Sequence, residues 1–148
     1  MENKKVTNKS YQVSYKQVWD ALRSIDISDK IVQKMGLDYL GWADAWAILM
    51  ENFPQATYVF DEPTFYGMEG KRTCEVTCTI YIGELERSWS LPVMTNSMPM
   101  KSIEEPSSRD INDAQARCFV KVMGLYGLGL YLWEKKDNPS SNFKPKAF

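Results

Sequence analysis

The stretch TCEVTCTIYIGELERSWSLPV, residues 73–93, decides the fold. From Thr73 to Ile82 polar and apolar residues alternate without exception, which is the period of a β-strand with one buried face. The two-residue connection Gly83-Glu84 is of the Gly-X type that closes β-hairpins, so the next run is predicted to fold back as a second strand, with Pro92 at its end or on an edge. One face of the first strand then holds Cys74, Val76, Cys78, Ile80 and Ile82, and one face of the second holds Leu85, Arg87, Trp89, Leu91 and Val93.

A third strand and a long helix are predicted on either side of this hairpin. Residues 58–62 have strand character, and a turn-rich link, residues 64–70, joins them to the hairpin. Beyond a long polar loop, an apolar stripe at helical spacing begins near Ser108 or Asp110 and ends in a glycine-rich segment. The order predicts an α+β fold, in which a three-stranded antiparallel β-meander is followed by a long helix, a β-β-β-α core with helices before it.

Two helical segments are predicted near the N-terminus. Ser14 followed by Gln17 fits a capping box, and the apolar spacing behind it predicts a helix over residues 15–26. A shorter helical piece is predicted from Asp29 to Met35, with Gly36 as its stop signal.

The next helix carries an aromatic stripe and ends before Pro54. Its two tryptophans are most simply core residues, because each can bury a large apolar area. The alternative is that they form a stacking platform. The stripe consists of Trp42, Ala45, Trp46, Leu49 and Phe53.

The chain is predicted to form one domain, residues 1–136, because about 100 to 200 residues per domain is usual. Residues 130–133 are expected to form a short final strand or an extended cover. The Asn-, Pro- and Ser-rich segment 137–148 is expected to be a disordered tail. The polar N-terminus lacks the apolar core of a signal peptide, and no apolar run is long enough to span a membrane, which favours a cytoplasmic protein.

Histidine is absent from the 148 residues, which excludes several classes of enzyme and metal site. A Ser-His-Asp or Cys-His pair, an imidazole base and a His-ligated metal are all ruled out. The three cysteines, Cys74, Cys78 and Cys118, lack a CxxC spacing and are interpreted as core thiols. Gly70-Lys71 lacks the other residues of a P-loop. We therefore expect no catalytic site, no metal and no cofactor, in a protein that is not an enzyme.

The net charge of −1 hides an uneven distribution along the chain. Residues 31–70 carry one basic and six acidic groups, whereas residues 71–148 carry 11 basic and 9 acidic groups. The net charge argues against indiscriminate binding to nucleic acid, but it says nothing about local patches. The second half of the chain is free to build a basic surface.

The long helix carries the first candidate site. Asp113, Arg117 and Lys121 lie four residues apart, so they are expected to form one exposed stripe. This stripe is either a solvated face with an Asp113–Arg117 ion pair or a row of cations spaced to contact successive phosphates. The residues alone favour the solvated face.

Three further cations have unusual surroundings. Arg87 interrupts the apolar face of its strand next to Trp89, so we expect it to be paired, at an edge or lining a groove, and cation–π stacking is one option. Lys71 and Arg72 follow the loop FYGMEG, residues 65–70. Such a combination of charge and aromatic rings occurs in single-strand binders and also at ordinary charged hairpin ends.

Three segments together resemble a known family. They are YLGWADAWAILMENFPQATY, CEVTCTIYIGELERSWSLPVM and INDAQARCFVKVMGLYGLGLYLWEK, within residues 37–136. They look like phage-encoded single-strand annealing proteins of the Sak-three type, which are similar to the eukaryotic Rad-fifty-two annealing proteins. The most specific part is a small-residue helix with basic positions four apart, followed by GLGLYLW.

The resemblance implies a β-β-β-α core, oligomeric rings and ATP-independent annealing of complementary strands in phage homologous recombination, inside the bacterial host cytoplasm. It also implies a groove for single-stranded DNA between the β-hairpin and the long helix. Arg117 and Lys121 match the basic pair that the family directs to this groove, while Phe119 stands where a further basic residue is expected. A single-strand-binding protein or an exonuclease is the further partner that such a system implies.

The candidate DNA-binding residues therefore fall into two groups. Arg117 and Lys121 come first, because they match the family motif. The second group rests on chemistry and position and comprises Lys71, Arg72, Arg87 and Lys101. The alternative function is a protein-interaction module without DNA-binding activity, whose exposed Trp and Tyr residues bind a partner.

Overall fold

The computed structural model describes residues 12–34 and 36–134. The predicted tail, residues 137–148, lies outside the described residues. Within the described part, no helix combines the length and apolar character needed to cross a bilayer. The elements in chain order are helix α1 (Tyr15–Arg23), a 3₁₀ turn (Ser28–Lys30), strands β1 (Ile31–Lys34) and β2 (Leu37–Leu40), helix α2 (Trp42–Asn52), strands β3 (Ala56–Phe60), β4 (Thr64–Tyr66), β5 (Thr73–Ile82) and β6 (Leu85–Pro92), and helices α3 (Ser108–Leu125) and α4 (Tyr131–Glu134).

Strand β5 is the centre of a four-stranded antiparallel sheet. β6 pairs along one of its edges, from Ile82↔Leu85 to Glu75↔Pro92, with Gly83 in the left-handed region at the turn. β3 and β4 pair with the two halves of the other edge. The bounds predicted for β5 and the hairpin behind it are confirmed.

The predicted three-stranded meander is wrong in strand number. The link predicted over residues 64–70 begins with β4, and the strand predicted over residues 58–62 begins two residues earlier, at Ala56. The interruption between β3 and β4 has a local cause. The backbone N–H of Asp61 still donates to Thr77, 3.0 Å away, but Pro63 has no N–H to offer to the ladder. Pairing resumes once Pro63 is passed.

Helix α3 covers one face of the sheet and encloses the core with it. The five residues from Cys74 to Ile82 that alternate along β5 are each at most 2% exposed. Ser107 and Asp110 form a reciprocal capping box at the start of α3, which fixes where the helix begins. The three cysteines lie in this core, as predicted. The residues of α3 that are buried are Ala114, Cys118, Phe119, Val120, Val122, Met123 and Gly124.

The N-terminal third contains one confirmed prediction and one error. The capping box of Ser14 and Gln17 is present, and α1 follows it but ends at Arg23. The helical piece predicted from Asp29 to Met35 is instead a 3₁₀ turn followed by the β1–β2 hairpin. Gly36, read as a helix stop, has φ +74° in the turn between the two strands. Glycine with positive φ is common both in hairpin turns and at helix ends, so Gly36 alone does not distinguish a hairpin from a helix.

The segment predicted as a final strand or extended cover, residues 130–133, is also different. Its last three residues belong to helix α4, which follows α3 after a short turn that includes Leu130. Gly127 and Gly129 have positive φ in that turn, and it directs α4 back against the core, where Tyr131 and Leu132 are buried. The hydroxyl of Tyr126, at the end of α3, donates to the carbonyl of Ile80 at 2.8 Å and so ties this turn to the sheet.

Replacing Gly127 with alanine is expected to destabilise the protein more than replacing Gly70. Gly127 has φ +118°, and a Cβ there would lie 3.1 Å from the carbonyl oxygen of Trp19 and 3.2 Å from the backbone nitrogen of Arg23. We expect backbone strain of about 1–3 kcal/mol together with an overpacking penalty of about 1–3 kcal/mol. Gly70 has φ +88° and no atom within 4 Å of the added Cβ, so Gly70→Ala should show the strain alone. Equal losses in urea unfolding would contradict this assignment.

Candidate nucleic-acid interface

A groove of about 420 Å³ lies between the β1–β2 hairpin, the start of α2 and the side of α3 that faces away from the sheet centre. Strand β6, the loop after it and helix α4 contribute one or two residues each. Concave sites of this size, with a few convergent polar groups, are the usual place for a ligand. The charged lining residues are Lys34, Asp38, Asp113, Arg117 and Lys121.

Arg117 presents a hydrogen-bond donor that the protein itself does not use. Its Nη2 donates to the backbone carbonyl of Met94 at 3.1 Å, which holds the guanidinium against the wall of the groove. Its Nε is buried and is the one such side-chain atom in the described part of the chain without a hydrogen-bond partner. Burial lowers the pKa of Arg117, because removal from water penalises the charged form. An anion that contacts the accessible part of the guanidinium would offset this penalty.

Lys121 lies one turn further along α3 and is also half-buried. Burial is the largest effect on the pKa of Lys121 and lowers it. Cys118 raises this pKa, and the positive charge of Arg117 lowers it. Two cations that share a partly desolvated wall favour a ligand with negative charge. A strand of phosphates is one such ligand.

The remaining charges of the groove come from the β1–β2 hairpin and from α3. Lys34 is exposed at the end of β1. Asp38 is 4% exposed and accepts a hydrogen bond from Gln33 Nε2 at 3.1 Å across the hairpin. Sequence reasoning missed Lys34 because it placed residues 29–35 in a helix. Interpreting Gly36 as a hairpin turn would have placed Lys34 at the end of a strand next to that turn.

The stripe on α3 differs from its prediction. Asp113, Arg117 and Lys121 are half-buried, not exposed, because the groove walls rise around them. Among the described residues, no ion pair within 4.0 Å joins Asp113 to Arg117. The predicted Asp113–Arg117 ion pair and the full exposure of the stripe are therefore wrong, and the guanidinium is held by the Met94 carbonyl.

Trp42 is the second residue that the sequence misplaced. As the first residue of α2 it lies at the groove and is 54% exposed, whereas Ala45 and Leu49 of the same stripe are fully buried. The prediction that both tryptophans belong to the core is wrong for Trp42. Trp46 is half-buried and packs on Tyr58 and Phe119, with ring centroids 5.3 and 5.4 Å away.

Arg87 lies outside the groove, in a separate pocket of about 390 Å³ beside α1. Its guanidinium carbon is 3.8 Å from the centre of the Tyr15 ring, a cation–π contact. The Tyr15 hydroxyl in turn donates to the carbonyl of Glu86 at 3.2 Å. In the sheet register Arg87 is opposite Ile80, so Arg87 lies on the core side of the sheet, as predicted. Because β6 is an outer strand, the side chain of Arg87 remains exposed. The aromatic partner is Tyr15 and not the neighbouring Trp89.

Arg72 is engaged by a carboxylate. Its Nη2 and Nε donate to the two carboxylate oxygens of Glu105 at 2.7 and 2.9 Å, and its guanidinium lies 5.1 Å from the centre of the Phe65 ring. Lys71 is exposed beside it. Lys101 is exposed in the loop between β6 and α3, where its backbone N–H donates to Thr95 Oγ1. Of the six candidates, all within the described residues, the groove brings together Arg117 and Lys121, and the other four are not among its lining.

Comparison with known proteins gives one family. The family model of the Sak Single Strand Annealing Protein matches residues 16–147, a range that includes every residue lining the groove. Among curated proteins, none matches the sequence.

The Arg72–Glu105 pair is expected to make stability depend on pH in the acid range. Hydrogen bonds from Arg72 lower the pKa of Glu105 from 4.5 to about 2. Because the folded pKa is below the unfolded one, the contribution is complete above pH 4.5 and is lost as the pH falls towards 2. Between pH 6 and pH 2 the urea concentration at the unfolding midpoint should fall less for Glu105→Gln than for the wild type. Glu104→Gln is the matched control, and an equally shallow curve for it would contradict the assignment.

Proposed function

The chain belongs to the Sak Single Strand Annealing Protein family, and from this premise we propose that it binds single-stranded DNA and anneals complementary strands in homologous recombination. The observation that carries the proposal is the groove on α3, where Arg117 and Lys121 are half-buried one turn apart in the same wall. We propose that the groove holds the phosphate backbone. No ATP and no covalent chemistry are required for this activity, and the protein is proposed to act without being an enzyme.

Binding through phosphates suits annealing for a physical reason. Contacts to the backbone fix the position of a strand but leave the edges of its bases free to pair. The planar guanidinium of Arg117 can donate to a phosphate oxygen, and Lys121 adds a mobile point charge one turn away. A weak contact in each subunit becomes effective when many act on one strand, because linked binding events reinforce one another.

The protein is proposed to act as a homo-oligomer, with a ring as the expected form. The edge of the sheet formed by β3 and β4, with the loop after them, carries exposed apolar side chains. An exposed strand edge with large apolar residues favours association with another chain. This patch equally supports the alternative function, a protein-interaction module. Its members are Tyr58 and Phe65 on the face of the edge strands that α3 covers, Val59 and Tyr66 on the opposite face, and Met68 in the loop.

Several finer features of the proposal rest on the family resemblance alone. These are the phage origin, the Sak-three type, kinship with the Rad-fifty-two proteins, and action in the bacterial host cytoplasm. A single-strand-binding protein or an exonuclease as a further partner has the same support. The second-tier residues Lys71, Arg72, Arg87 and Lys101 remain proposed contacts outside the groove, and the bond to Glu105 makes Arg72 the least available of them.

The double variant Arg117→Ala/Lys121→Ala is expected to lose affinity for single-stranded DNA and to anneal complementary oligonucleotides more slowly. Each cation removed should lower the slope of log K against log salt by about 0.7, so two should lower it by about 1.4 per subunit in contact. Fluorescence anisotropy over a series of salt concentrations measures both the affinity and the slope.

Arg109→Ala is the matched control, because Arg109 is an exposed arginine of the same helix outside the groove. It removes one positive charge and should change the slope little. If the double variant folds, as judged by thermal unfolding, and still binds and anneals like the wild type, the groove is not the DNA site.

Val59→Lys is expected to reduce the mass of the oligomer in light scattering, because it places a charge in the exposed apolar patch on β3. Val32→Lys is the control, since Val32 on β1 is 52% exposed and Val59 is 48% exposed. An unchanged mass for Val59→Lys would show that subunits do not meet at this patch.

A further inference from the structure

Among the described aromatic residues that line the groove, Trp42 is the exposed one. Trp42 is 54% exposed, and it follows Gly41 at the first position of α2, where the chain has just left β2. The inward residues of α2, such as Ala45 and Leu49, are fully buried and anchor the helix, whereas about half of Trp42 remains exposed. An exposed indole in a concave site that also carries two half-buried cations is available to a ligand.

The other aromatic residues lining the groove are committed to the protein. Trp133 of α4 packs on α3 at Gly124, where an added Cβ would lie 3.0 Å from its Cζ3 atom. It is half-buried, and so is Tyr39 of β2. Trp42 is therefore the lining aromatic residue best able to receive a flat ligand.

The neighbours of Trp42 define the chemistry of that ligand. The groove that it lines also holds the guanidinium of Arg117 and the ammonium of Lys121, and Lys34 is exposed on the β1–β2 hairpin. Phosphate-binding cations and a free indole face in one groove fit a nucleotide whose base is unstacked. In a duplex both faces of each interior base are covered by its neighbours, so a duplex cannot offer this contact.

We propose that Trp42 is a base-stacking residue, which receives a nucleobase of single-stranded DNA while Arg117 and Lys121 hold the adjacent phosphates. The proposal rests on the proposed function and adds the basis for preferring a single strand. Stacking covers a face of the base and leaves its hydrogen-bonding edge free, so a stacked base is still able to pair with a complementary strand. The contact is tolerant of sequence, because every base has a π-face.

The test compares an ordinary single-stranded oligonucleotide with an abasic one of equal length, for the wild type, Trp42→Ala and Trp42→Phe. In the wild type the ordinary strand should bind more tightly than the abasic strand, by roughly fivefold to 160-fold for one stacked base. Trp42→Ala should lose that ratio and bind the abasic strand as the wild type does. Trp42→Phe should retain part of the ratio, because phenylalanine keeps a π-face.

Trp89→Ala is the matched control, since Trp89 is 46% exposed on β6 and does not line the groove. It should keep the wild-type ratio. If Trp42→Ala keeps that ratio too, the stacking role is overturned, while the function of the groove is judged separately by Arg117→Ala/Lys121→Ala. A wild type that binds neither strand at low salt overturns the stacking role and the proposed function together.

Discussion

The packing of α3 on the alternating apolar face of β5 is the constraint on which the rest of the structure depends. β5 is paired on both edges, so its buried face cannot turn away from the helix without breaking two ladders of hydrogen bonds. The thiol of Cys118 on α3 lies 3.1 Å from the carbonyl oxygen of Trp89 on β6, which shows how closely the helix approaches the sheet. Burial raises the pKa of Cys78 to about 12 and that of Cys118 to about 11, so these thiols serve packing and not chemistry.

The same constraint explains the electrostatics of the groove. One side of α3 is buried against the sheet, so the residues on its flanks lie at the boundary between the core and the solvent. Arg117 and Lys121 lie at that boundary, partly desolvated by the protein yet open to a ligand. The fold thus holds two like charges in a place where water stabilises them less than on a free surface. Of the five described charged residues that line the groove, three are basic and two are acidic, so the balance of charge is positive.

Sequence reasoning succeeded where one local pattern decided the structure. The ten alternating residues of β5, the two-residue turn at Gly83 and the apolar spacing of α3 needed no knowledge of distant residues. It failed for β1, β2 and β4, strands of three or four residues whose pairing depends on a partner and a turn. For the candidate site, Arg117 and Lys121 were found from their spacing and from the family resemblance. Lys34 was missed because its segment was predicted to be helical. Trp42 was missed because its stripe was predicted to lie in the core.

The contact between Arg72 and Glu105 has a consequence for how this molecule can vary. The backbone N–H of Glu105 donates to the carbonyl of Arg72 at 2.7 Å, and the N–H of Arg72 donates to the Glu105 carboxylate at 2.8 Å. These bonds hold together two residues that are 33 positions apart in the sequence. Beyond this fastening the chain enters α3 directly, and the loop that carries Asn96 to the groove lies within the closed segment. A change in the length or composition of that loop is then taken up locally, and the start of α3 stays in place. The same loop carries Met94, whose carbonyl accepts from Arg117, so a change near Met94 would reach the guanidinium while the helix that bears it keeps its place.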